Sequence, residues 1–214
     1  MSRDARRLAV AVLTAALCWF YMFSPWTGGR FNFWVLMSCA AVVLTMLTMA
    51  FTPDRRALFR VEKPLLQVVL GVLTAFALWG IFWIGDKLSS LMFDFARPEV
   101  DAVYAMKTGL PPHVIALLLL LLIGPAEELF WRGYVQRTLA RILPARHAAD
   151  WAFVTTTMIY ALVHVWSFNF MLVMAAAVAG SVWGFLYRLQ PKALPALIVS
   201  HALWDALVFV LLPI

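Results

Sequence analysis

The sequence predicts an all-α membrane protein, a polytopic bundle of about seven transmembrane helices in one domain spanning residues 1–214. Three observations predict it. Of 214 residues, 64% are hydrophobic and only 13% charged, where a soluble domain carries about 25% charged. The mean hydropathy is +0.87. The apolar residues also fall in runs near the 20 or so residues that a helix needs to span hydrocarbon. The +6 balance and pI of 9.7 do not point to nucleic acid, because the basic residues lie between apolar runs and read as topology signals.

The elements follow in order. Arg3, Arg6 and Arg7 precede an apolar stretch from Leu8 to Phe23. No small-residue cleavage site follows it, so an uncleaved first helix is expected rather than a signal peptide. The second span is expected at about 31–51 and the third at about 65–85, with a basic loop containing Arg55, Arg56, Arg60 and Lys63 between them. These three N-terminal helices, 1–85, carry no specific motif. A fourth span starts near Pro112, and the fifth, sixth and seventh run at about 151–168, 170–187 and 193–212. Prolines 111, 112, 144, 191 and 195 punctuate the boundaries, as residues that start helices well and continue them badly. Between Asp86 and Pro112, the helical spacing of Leu88, Leu91, Met92 and Phe95 predicts a short interfacial helix. Cys18 and Cys39 fall inside apolar runs and read as small packing residues.

Seven spans with the N-terminus inside put thirteen of the seventeen Lys and Arg on the inner side. Only Arg30, Lys87, Arg97 and Lys107 fall outside. The bias predicts N-terminus in and C-terminus out.

The fourth span carries Gly124-Pro125-Ala126-Glu127-Glu128-Leu129-Phe130-Trp131-Arg132. An ionisable side chain in hydrocarbon costs about 2.5–3.5 kcal/mol on insertion scales, so such residues face one another, water or a substrate. At 100° per residue, Glu128 and Arg132 share a face and can pair. Glu127 points away and is the less compensated carboxylate, suited to general-base work. Tyr160 and His164 are four apart on the fifth helix, as are His201 and Asp205 on the seventh. The second pair reads as an imidazole with an orienting carboxylate. By linear position His164 lies nearer the outer side than Glu127, a mismatch of roughly 10 Å in depth.

Glu127-Glu128-x-x-x-Arg132, Tyr160-x-x-x-His164 and His201-x-x-x-Asp205, in this order and on separate helices, resemble the three motifs of the CAAX-protease and bacteriocin-processing family of glutamate-dependent intramembrane endopeptidases. The resemblance covers residues 113–212, a four-helix catalytic core. It implies that Glu127, helped by His164, activates a water, while His201 and position 205 stabilise the oxyanion. Glu128, Arg132 and Tyr160 support them. Tyr160 stands where phenylalanine is usual, and Asp205 where the prenyl-protein enzymes have asparagine. Ionised aspartate only accepts hydrogen bonds, so Asp205 is expected to orient His201.

The expected reaction needs no cofactor. A zinc-dependent version stays open, with Glu127, His164, His201 and Asp205 as oxygen and nitrogen ligands; the chain lacks the His-Glu-x-x-His zinc motif. The expected partners are membrane lipid and a peptide or membrane-anchored protein substrate, and the setting is a multi-pass protein of the plasma membrane if the cell is bacterial. The competing expectations are a non-catalytic immunity or chaperone-like membrane protein and a proton-coupled transporter. The latter usually shows repeated halves, which this chain lacks.

Overall fold

The computed structural model describes residues 2–143 and 146–214, so Pro144 lies outside the described residues. The described residues form helices α1 (Arg3–Phe23), α2 (Phe33–Phe51), α3 (Pro64–Met92), α4 (Ala96–Ala105), α5 (Pro112–Ile142), α6 (Ala148–Ser167), α7 (Phe170–Leu189) and α8 (Pro191–Leu211). No strand occurs among them. All but α4 are long and apolar enough to cross a bilayer. The protein is an integral, multi-pass membrane protein.

Local chemistry sets most helix starts. Ser2 accepts the Ala5 N–H, Asn32 accepts from Trp34 and Val35, and Asn169 accepts from Leu172, each satisfying N–H groups that a helix start leaves unpaired. Pro64, Pro112 and Pro191 open α3, α5 and α8, where a missing N–H costs nothing.

The lipid-facing surface is apolar: Leu65, Leu73, Leu91 and Leu121 are among its most exposed residues. The interior is held by close backbone approach at small residues, the usual means of helix association in lipid. A Cβ on Gly71 would lie 2.6 Å from the Ala196 carbonyl oxygen, locking α3 to α8, and one on Gly124 would lie 2.6 Å from Ala202 Cα, locking α5 to α8.

Helix α5 has 31 residues, about 45 Å of helix against about 30 Å of hydrocarbon. It runs to Ile142, so Glu127 sits at its midpoint rather than near its inner end. The helix widens to π turns over Leu119–Ile123 and Leu129–Gln136, on both sides of Gly124–Glu128, a departure common at functional positions.

The segment after the third span differs from its expected form. Leu88, Leu91 and Met92 continue α3, and the separate short helix is α4. The helix passes Asp86 because its carboxylate is neutralised in place, 3.1 Å from Lys87 and 3.2 Å from Arg97. Helix α4 then straps the end of the bundle. The Tyr104 hydroxyl donates to the Val208 carbonyl, Glu99 accepts the Met171 N–H, and the Met106 carbonyl accepts from the Trp34 indole.

The glycine contacts generate a prediction. Gly124→Ala should destabilise the protein by about 1–3 kcal/mol through overpacking, read as a lower unfolding temperature in detergent. Gly80→Ala, where an added Cβ meets nothing within 4 Å, should cost little.

Candidate active site

The Gly124–Ala202 approach presses the glutamate turn of α5 against the middle of α8. Glu127, Glu128, Arg132, His164, His201 and Asp205 are all buried. Glu127, Tyr160, His164, His201 and Asp205 line one cavity of about 110 Å³, together with Phe23, Phe33 and Trp34 among others. The expected difference in depth between Glu127 and His164 does not keep them apart, because α5 extends far enough to centre Glu127 within the bundle.

The two glutamates are in different states of compensation. Glu128 Oε1 accepts from Arg132 Nη1 at 2.7 Å and also faces His201 Nδ1 at 2.8 Å. The first pairing follows from the four-residue spacing. The second crosses from α5 to α8. Oε2 of each glutamate is buried with no hydrogen-bond partner. What separates Glu127 is that it stands outside the ion pair with Arg132 and lines the cavity, which Glu128 does not. A volume of 110 Å³ holds several waters, each needing about 15 Å³ by this measure.

Arg132 is a structural centre rather than an inner-side loop charge. It is 1% exposed, its Nη2 donates to the Gly180 carbonyl at 3.2 Å, and its guanidinium lies 5.0 Å from the Tyr160 ring and 5.5 Å from the Trp183 ring. One side chain thus joins α5, α6 and α7. Trp183 also stacks on His201, with ring centres 3.9 Å apart and planes 16° from parallel, while its indole donates to Ser200.

The orientation of His201 differs from expectation. Its hydrogen bond goes to Glu128, whereas Nε2 lies 3.5 Å from Asp205 Oδ2, an ion-pair distance too long for a good hydrogen bond. Spacing along α8 brings Asp205 near the ring, but the helix crossing at Gly124 puts the Glu128 carboxylate directly on Nδ1.

His164 has partners at both nitrogens. Nδ1 faces the Tyr160 carbonyl at 2.8 Å and so carries the proton, while Nε2 accepts from the Trp19 indole at 2.9 Å. Nε2 must give up the indole before it can take another partner, whether a water or a metal ion. Among the described residues, no three His, Cys, Asp or Glu are grouped to hold an ion.

Trp19, Trp183 and the Gly180 carbonyl enter the site with no motif to announce them. Trp19 belongs to one of ten tryptophans scattered through apolar runs, and nothing in its spacing separates it from the others. A second, larger cavity of about 370 Å³ adjoins the first and shares Leu172, Ala175, Trp204 and Phe209 with it. Its walls are almost wholly apolar and come from α3, α4, α7 and α8.

The charge arrangement predicts how variants should separate. Arg132→Ala leaves Glu128 buried beside His201 without its guanidinium, a loss of about 3–5 kcal/mol, and should lower yield and unfolding temperature. Glu127→Gln breaks no ion pair and should match the parent in both measurements.

No curated protein and no solved structure matches this chain. Residues 109–207, which include all three motifs, match the family described as type II CAAX prenyl endopeptidase Rce1-like. The segment that builds the cavity's polar wall is therefore similar to the Rce1-like CAAX endopeptidases, a family of membrane proteases.

Proposed function

We propose that this protein is an intramembrane endopeptidase that hydrolyses a peptide bond of a membrane-associated substrate by a glutamate-dependent, metal-independent route. The observation that carries the reading is that Glu127, the glutamate outside the Arg132 ion pair, lines one cavity together with His164, His201 and Asp205.

Glu127 is the general base and His164 its partner in holding the water. The lone pair of His164 Nε2 rests on Trp19 in this arrangement, and a water entering the cavity exchanges with the indole for it. As the water oxygen bonds to the carbonyl carbon, its proton passes to Glu127. His201 donates from Nε2 to the carbonyl oxygen as charge develops there, the point at which preorganised donors contribute most. Because Nδ1–H is committed to Glu128, this donor requires the doubly protonated ring, with Asp205 as the nearby counter-charge. When the carbon–nitrogen bond breaks, the proton on Glu127 goes to the leaving amine. The residues return to their starting state and no covalent intermediate forms.

The adjoining apolar cavity supports a substrate that carries an apolar anchor beside the scissile bond. Such a substrate would place its anchor among α3, α4, α7 and α8 and its peptide at Glu127. Among the described residues lining the smaller cavity there is no serine, threonine or cysteine to act as a nucleophile.

The test is cleavage of a panel of membrane-anchored peptides by the purified protein. Glu127→Gln should lower turnover by about two to four orders of magnitude, the usual loss on removing acid–base catalysis, with expression unchanged. Activity should survive serine- and cysteine-directed alkylating reagents and prolonged treatment with a strong chelator. Activity abolished by chelation and restored by zinc would overturn the metal-independent route. A protein that cleaves nothing on the panel, with its fold intact, would favour a non-catalytic membrane role.

A further inference from the structure

Helix α1 lies outside the matched segment 109–207, yet it supplies a hydrogen bond to the site. Trp19 and His164 are both buried, at 1% and 7% exposure, and their bond spans 145 positions of sequence. The indole packs edge-on against Trp131 as well as His164. Its N–H therefore points at the imidazole because the surrounding rings leave it one direction.

The chemistry of this bond is selective. Indole N–H is a donor only. Its partner nitrogen must be unprotonated, which for His164 means the proton sits on Nδ1, where the Tyr160 carbonyl accepts it. The alternative tautomer would set two N–H groups head to head and leave a lone pair facing a carbonyl oxygen. The doubly protonated ring would keep the carbonyl contact and lose Trp19. The state and direction of one imidazole nitrogen are set by the bond that the other makes. Here both bonds point the same way, and the second comes from a helix with no motif.

We infer that Trp19 is a positioning residue of the proposed hydrolysis: it holds His164 as the neutral, Nδ1-protonated tautomer and yields the Nε2 lone pair to the nucleophilic water when that water enters the cavity. The inference rests on the proposed protease activity, which gives that lone pair its use. It also makes α1 part of the working site, so that the matched segment alone is incomplete.

The experiment pairs kinetics with nitrogen NMR. Trp19→Phe keeps a buried aromatic ring and removes the N–H; 3-benzothienylalanine at position 19 does the same with the bicyclic shape retained. Loss of the orienting partner of a metal-bound histidine typically costs about 10–100-fold in affinity or activity, and a loss of the same order serves as the yardstick for His164. That fall is expected in kcat for both variants, with KM for the anchored peptide unchanged. Labelled His164, observed in the full-length Glu127→Gln background, should show one neutral tautomer with Trp19 and a mixture with Trp19→Phe. An unchanged kcat would reduce Trp19 to packing, and a raised kcat would mean that it blocks His164; either overturns the inference. An unchanged tautomer overturns it as well, without reference to activity. If the parent protein cleaves no peptide, the protease reading fails, while the NMR comparison still decides whether Trp19 governs His164.

Discussion

Glu128 Oε1, shared between Arg132 Nη1 and His201 Nδ1, is the interaction on which the rest of the structure depends. An ionised carboxylate cannot remain in the middle of a membrane bundle uncompensated, and this one is fully buried. Its compensation recruits the surrounding helices. Gly124 must lack a side chain for α8 to come close enough to offer His201. Arg132 must be anchored, and the Gly180 carbonyl with the faces of Tyr160 and Trp183 anchors it. The stacking of Trp183 on His201 then closes the arrangement. Three charged or polar groups are drawn together by four helices, and the helix crossings are the geometry that brings them into contact.

Glu127 gains its distinct character from the same arrangement. It is next to Glu128 in the chain, but one residue of helix turns it about 100° away, out of reach of the arginine and into the cavity. The two carboxylates have different surroundings. Oε1 of Glu128 accepts from Arg132 and faces His201, tying helices together, while Glu127 lies outside that ion pair and lines the cavity. Placing both on one turn means that the carboxylate in the cavity is positioned by the one in the ion pair. The π turns on either side give that segment room to face α8 and α6 at once.

The opposite wall is built differently. His164 is held by neutral donors and acceptors, the Tyr160 carbonyl and the Trp19 indole, whereas His201 lies between two carboxylates. Two imidazoles in one cavity therefore sit in unlike electrostatic settings. That contrast suits one to accept a hydrogen bond from water and the other to donate to a developing oxyanion. The strap formed by α4 and the apolar cavity beside it complete an enclosure that opens toward apolar rather than charged groups.

The sequence by itself determined the membrane character, the number of spans and the pairing of Glu128 with Arg132. Each rests on local information: apolar run length, proline positions and the four-residue turn of a helix. The resemblance of the three motifs to a known protease family, and not spacing, implied that Glu127, His164, His201 and Asp205 belong to one candidate site. Helical spacing could not assign partners across helices, because those depend on crossing points set by small residues such as Gly124 and Gly71. Spacing along α8 suggested Asp205 as the orienting partner of His201, but the crossing delivered Glu128 instead. The continuation of α3 past Asp86 likewise depended on Arg97, which reaches back from the next helix. Trp19 is the clearest instance of what tertiary structure alone decided. Its role lies in the direction of one N–H toward a nitrogen 145 residues away, and a tryptophan in an apolar run carries no mark of where its ring will point.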